Sequence, residues 1–163
     1  MTLDDVMELA GREQYLAVVS TLRADSTIQA SLVNAGVLDH PFTGQPVLAF
    51  VTYGAAKLRN LRARPQVAVT FRSAWAWATI EGTAELIGPD DPHPQVDAER
   101  LRLLLREIFT AAGGQHDDWD AYDSTMLDQG ALLSSSPPRA STATELQLLS
   151  VRPRRSGPRP QTP

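Results

Sequence analysis

Apolar residues along this chain change their spacing several times, and each change marks an element. In residues 2–12, Val6 and Leu9 share a helical face, Thr2 stands at an N-cap position, and Asp4, Asp5 and Glu8 suit the positive end of a helix. Residues 14–22 (QYLAVVSTL) and 27–37 (TIQASLVNAGV) read as strands separated by turn chemistry at Ala24, Asp25 and Ser26. Gly36 in the second strand marks a bulge or a close approach. A loop rich in turn formers, DHPFTGQP, leads into the apolar run VLAFVT, so residues 27–52 are expected to form a hairpin. Residues 75–87 alternate as a long strand, with Trp75, Trp77 and Thr79 on one face and Gly82 as an expected bulge where the strand bends. Leu101, Leu104, Leu105, Ile108 and Phe109 then form a helical stripe opened by Asp97 and closed by Gly113-Gly114, and residues 117–128 make a second helix. Strands first and a helical pair afterwards favour a small antiparallel barrel or sheet with helices at one end.

The stretch at the centre, VTYGAAKLRNLRARPQVAVTFR (residues 51–72), places a short helix between two strands. Leu58 and Leu61 lie on one side of it, while Lys57, Arg59, Arg62 and Arg64 are expected to project from the remainder before Pro65 ends it. Two readings stand. The cations form a solvated helix face, or the helix start, with Lys57 in its first turn, holds a phosphate through free backbone N–H groups and the helix dipole.

Charge sharpens that contrast. Of the net −4, residues 131–163 contribute +4 through five arginines and one glutamate, leaving −8 on residues 1–130. An acidic body argues against nucleic acid as a partner and makes the basic cluster stand out. The absence of cysteine excludes disulfides and thiolate chemistry. No apolar run reaches the roughly 20 residues of a membrane span, and MTLDDVMELA lacks a signal-peptide pattern, so no membrane partner and a cytoplasmic location are expected. His40, His93 and His116 lie in separate loops without ligand spacing, and no nucleophile or phosphate-loop motif is present. No catalytic residue and no metal site is therefore named, and any enzyme chemistry is expected to come from an organic cofactor. Trp75 and Trp77 read either as core or subunit interface, or as the lining of a pocket for a planar ring.

Together the segments QASLVNAGVLDHPFTGQPVLAFV, GAAKLRNLRARPQVAVTFR and WAWATIEGTAELIGPDD resemble the flavin and deazaflavin oxidoreductases of the split β-barrel, pyridoxamine 5′-phosphate oxidase-like superfamily, and most of all its branch that uses coenzyme F420. The resemblance spans about residues 5–128, with K-x-R-N-L-R-x-x-P and W-x-W-x-x-x-E-G-x-A as its joint signature. It implies an α+β, mainly β fold: an FMN-binding-like antiparallel Greek-key split barrel with short flanking helices. It also implies a homodimer with cofactor sites at the subunit interface. By resemblance, Lys57, Arg59 and Asn60 hold the cofactor phosphate, and Gln29, Ser31 and Asn34 lie along the cofactor; Trp77 joins them as the ring-lining candidate.

One departure concerns the C-terminus. The family's closing basic, apolar strand is replaced after Gly130 by serine, proline and arginine, which predicts a cofactor-binding domain at residues 1–130, a disordered tail at 131–163, and an unpaired barrel edge. The function this implies is hydride transfer from reduced F420 to a small unsaturated or quinone-like substrate. The alternatives are an FMN-dependent pyridoxamine phosphate oxidase-like enzyme, or a non-catalytic protein that binds flavin, deazaflavin or haem.

Overall fold

The structure is a computed structural model and describes residues 2–128, 132–136 and 139–140. In chain order the elements are α1 (Leu3–Gly11), β1 (Leu16–Leu22), β2 (Ile28–Asp39), β3 (Pro46–Thr52), α2 (Ala55–Ala63), β4 (Gln66–Ser73), β5 (Ala76–Thr83), β6 (Glu85–Ile87), α3 (Ala98–Ala111), α4 (Trp119–Asp128), β7 (Leu132–Ser136) and β8 (Arg139–Ala140). The strands form one antiparallel sheet in the order β6-β7-β3-β2-β1-β4-β5-β8. Its two flanks are joined by the chain itself, because β5 runs into β6 through Ala84 alone. The result is the curled, split barrel that the resemblance implied.

Strand β2 carries the split. Its first half, from Ile28 to Asn34, pairs with β1, and its second half, from Ala35 to Asp39, pairs with β3. Beyond the Ala35–Phe50 pair, β3 continues toward Thr52 alongside β7. The first half of β2 therefore has no second strand beside it among the described residues.

Alternation sets the inside. Ala17, Val19 and Thr21 of β1, Val67, Val69 and Phe71 of β4, and Ala78 and Ile80 of β5 are buried on the concave face, where Leu61 of α2 and Val6, Leu9 and Ala10 of α1 complete the core. Strand β3 is buried on both faces. Leu48 and Phe50 point into the barrel, while Ala49 packs outward with Ile87 under Leu104 and Ile108 of α3. That two-sided burial is why VLAFV has no polar alternation. Helix α4 is pinned to α3 by Tyr122, whose hydroxyl donates to the Leu105 carbonyl at 3.2 Å, and by Asp123 between Arg102 and Arg106.

Two expectations change, and one open alternative is decided. Gly82 pairs regularly with Val67, so it is no bulge; the strand breaks at Ala84, whose N–H donates to the Pro65 carbonyl at 2.7 Å. Gly36 is a close approach: a Cβ there would lie 2.2 Å from the backbone carbon and oxygen of Ala111. Seven residues of the expected tail are strands. β7 lies between β3 and β6, and β8 pairs with β5, so the edge expected to be open is covered. Backbone pairing needs no side-chain signature, and a serine-rich segment supplies it as well as any other. The remainder of that tail, residues 141–163, lies outside the described residues. Among the described residues no helix is long and apolar enough to cross a membrane.

Candidate functional site

Helix α2 packs against β1, and Asn60, Thr21 and Gln29 link it through β1 to the first half of β2. Gly54 caps α2 and offers no side-chain acceptor, so among the described residues no capping side chain takes the first-turn N–H groups. Helix α2 buries Lys57, Leu58, Asn60 and Leu61. Lys57 is 4% exposed, and its ammonium lies 5.6 Å from the centroid of the Phe50 ring. No carboxylate pairs with it among the described residues, and burial lowers its pKa from the ordinary lysine value. The expectation that Lys57 projects outward is thus reversed. Its spacing four before Leu61 carried that signal, since both share one side of the helix.

The other cations of the cluster separate. Arg59 is exposed. Arg62 grips Asp91, with Nε 2.9 Å from Oδ1 and NH2 2.7 Å from Oδ2. Arg64 Nε donates to the Leu22 carbonyl at 3.1 Å. A continuous basic face does not form, because two of the four guanidinium and ammonium groups are already engaged within the fold.

Asn60 is held by a residue that the sequence reading did not single out. Its Nδ2 donates to Thr21 Oγ1 at 3.1 Å, and Thr21 Oγ1 donates to Gln29 Oε1 at 3.0 Å. The alternation Ala17, Val19, Thr21 was the available signal, since a hydroxyl on a core face needs a partner. Two positions along β2, Ser31 shares the face of Gln29, and its Oγ is buried without a partner among the described residues. Gln29, Ser31 and Asn60 therefore share the concave side, and Lys57 lies against Phe50, which also points into the barrel. An orphaned buried hydroxyl and an uncompensated ammonium fit a ligand bearing a phosphate and hydrogen-bonding atoms.

Asn34 and Trp77 stand on the other face of the sheet. Asn34 pairs with Leu16, and its Nδ2 donates to the carbonyl of Gln14 at 2.8 Å. That bond secures the tight entry to β1, where Gln14 and Tyr15 have φ of 56° and 58°. Trp77 pairs with Arg72 and is 47% exposed. Neither meets Lys57 within one chain. Around them the outer face is apolar: Leu16, Val18, Ile28 and Leu32 are all exposed there.

His40 and His93, distant in sequence, both reach Glu85, with Nε2 to carboxylate oxygen distances of 3.0 and 3.8 Å. Phe42 stacks on His93 at 4.4 Å. Each Nδ1 accepts a backbone N–H, from Phe42 and from Gln95, which puts the ring proton on Nε2 facing Glu85. The arrangement ties two loops to β6. Among the described residues no cluster of histidine and carboxylate is arranged to hold a metal ion.

Comparison with known proteins agrees with this architecture. The family model described as pyridoxamine 5′-phosphate oxidase matches residues 3–118. The chain is similar to a conserved hypothetical protein from Mycobacterium tuberculosis at 16% identity, covering 85% of this chain and 81% of that one with a TM-score of 0.59. A solved F420 reductase matches at 19% identity, over 78% of this chain and 88% of that chain, with a TM-score of 0.51. A pyridoxamine 5′-phosphate oxidase-related, FMN-binding protein from Nostoc punctiforme matches at 12% identity, over 83% and 79% of the two chains, with a TM-score of 0.52. At such identities the likeness to these structures is one of fold.

Proposed function

The chain belongs to the pyridoxamine 5′-phosphate oxidase family, and on that premise we propose that it binds a flavin-type cofactor across the split and acts as an oxidoreductase. The finer reading is hydride transfer from reduced F420 to a small unsaturated or quinone-like substrate. The observation that supports it best is Lys57: a lysine buried in the first turn of a helix, with no counter-charge among the described residues. Burial and the positive end of the helix dipole both disfavour that cation in the empty protein, and a bound phosphate relieves both.

Each residue then has a task. Lys57 and the first-turn N–H groups of α2 take the phosphate. Asn60 stays engaged with Thr21 and fixes the helix on β1 rather than touching ligand directly. Gln29 and Ser31 meet the cofactor along the open edge of β2. Arg59, exposed on the same helix, is the remaining candidate for an anionic extension such as the oligoglutamate of F420. When bound, the cofactor supplies the hydride chemistry; the chain binds it, orients it and keeps water from it. No acid or base of the chain is assigned.

A second copy of the chain gives Asn34 and Trp77 a place in this scheme. Leu16, Val18, Ile28, Leu32 and Trp77 form an exposed apolar sheet face, and a homodimer through that face would bring Trp77 of each copy to the other. An FMN-dependent enzyme, or a carrier without turnover, would use the same Lys57 site.

Titration of the purified protein with F420 and with FMN, followed by turnover assays with reduced F420, tests the reading. Tighter binding of F420 and oxidation of its reduced form are expected. Retention of stoichiometric FMN would favour the flavin alternative, and binding of neither would end the cofactor reading.

A further inference from the structure

The hydrogen-bond chain from α2 to β2 has a direction, and that direction determines what Gln29 offers. Thr21 is 2% exposed, and its single hydroxyl proton goes to Gln29 Oε1, 3.0 Å away. Its oxygen accepts from Asn60 Nδ2, 3.1 Å away, and Asn60 is itself 3% exposed. Both of these bonds use the amide atoms that fix orientation. Turning the Gln29 amide would set Nε2 against Thr21 Oγ1 as a second donor beside Asn60 and would leave the buried Thr21 hydroxyl proton without this acceptor. Nε2 of Gln29 is left without a partner among the described residues. It shares its face of β2 with Ser31 Oγ, which is likewise unpaired among the described residues.

We infer that Thr21 is a positioning residue for the cofactor site: by accepting from Asn60 and donating to Gln29, it holds the Gln29 amide with its N–H toward the ligand, so that the site favours ligands that present acceptor atoms, such as ring carbonyls, beside the β2 edge. The inference rests on the cofactor reading above and adds to it which residue sets the polarity of the site. Thr21 touches no ligand in this scheme. It acts through Gln29, while its bond to Asn60 ties the same amide to the helix that carries Lys57.

The test compares the full-length parent with Thr21→Val, Thr21→Ser, Gln29→Ala and the double variant Thr21→Val/Gln29→Ala. Binding of FMN and of F420 is measured by fluorescence titration, and folding by circular dichroism and thermal melting. Valine keeps the shape but supplies neither donor nor acceptor, so Thr21→Val should weaken binding about fivefold or more, the order of one mis-set buried hydrogen bond. Thr21→Ser restores the hydroxyl and should bind within about threefold of the parent. Gln29→Ala should lose a similar factor, and adding Thr21→Val to it should cost less than Thr21→Val costs alone, since the part that acts through the Gln29 amide is already gone. A purely structural role would instead give additive losses. Parent-like binding by Thr21→Val, or additive losses in the double variant, overturns the positioning role while leaving the cofactor reading intact. If Thr21→Val does not fold, Gln29→Ala and Thr21→Ser decide: parent-like binding by Gln29→Ala, or loss in Thr21→Ser matching that of Gln29→Ala, also overturns it. A parent that binds neither FMN nor F420 defeats both readings.

Discussion

The ammonium of Lys57 lies 5.6 Å from the centre of the Phe50 ring, and no carboxylate among the described residues stands against it. A ring face offsets only part of what an ammonium loses on leaving water. Lys57→Met, which keeps the length of the side chain and removes the charge, should therefore leave the cofactor-free protein as stable as the parent or about 1 kcal/mol more stable. The same variant should bind phosphate-bearing cofactor at least tenfold more weakly, about 1.5 kcal/mol or more for a lost charge-assisted contact. Calorimetry and titration on one preparation measure both. Parent-like cofactor affinity in Lys57→Met would return this lysine to a structural role.

The same lysine gives a pH dependence of definite sign. Burial holds its folded pKa below the ordinary 10.5, so in the window between the folded value and 10.5 the unfolded chain binds more protons. The contribution of Lys57 to stability thus rises with pH through that window, and its cost is fully present below the folded value. Urea midpoints of parent and Lys57→Met, measured at neutral pH and again near pH 10, should lie closer together at the higher pH. A gap of constant size at both pH values would mean that Lys57 is not the group responsible.

Arg62 is expected to matter little for cofactor binding, in contrast to Lys57. Its guanidinium is already bound bidentately to Asp91 and is 40% exposed, so Arg62→Ala should cost about 0.5–1 kcal/mol of stability and change cofactor affinity by less than about threefold. A selective tenfold loss for F420 over FMN would assign Arg62 to the cofactor's anionic tail instead.

Gly36 admits no side chain where α3 ends. Because a Cβ would meet the backbone of Ala111 rather than the end of a movable side chain, Gly36→Ala should destabilise the fold by about 2–3 kcal/mol. Chemical denaturation measures it, and a parent-like midpoint would show that α3 shifts without cost.

The outer sheet face predicts assembly. Leu32 is 68% exposed and pairs with Val18, itself 40% exposed, at the middle of the apolar face. Leu32→Asp should convert a dimer into a monomer in sedimentation velocity, with circular dichroism unchanged. A parent that sediments as a monomer at micromolar concentration would remove this face as the subunit interface.

Much of this molecule follows from local pattern. Alternation in Val67, Val69 and Phe71, the proline that stops α2 at position 65, and the leucine stripe of α3 each specify an element through its own periodicity, and those elements stand within a few residues of where the spacing puts them. The paired faces of β5, with Trp77 outward and Ala78 inward, were legible for the same reason. What the spacing could not carry was the fate of polar groups. Lys57, Arg62 and Arg64 look alike in sequence. One is driven inward beside Leu61, one is drawn to Asp91 from another loop, and one is bound to the Leu22 carbonyl on β1. Only packing decides which, because a charge settles according to what covers it rather than what precedes it. Thr21 shows the same limit: its place on the core face is local, but its two partners lie 8 and 39 residues away. The pairing of Leu132–Ser136 beside β3 was likewise set by available backbone edges, which leave no mark on side-chain pattern.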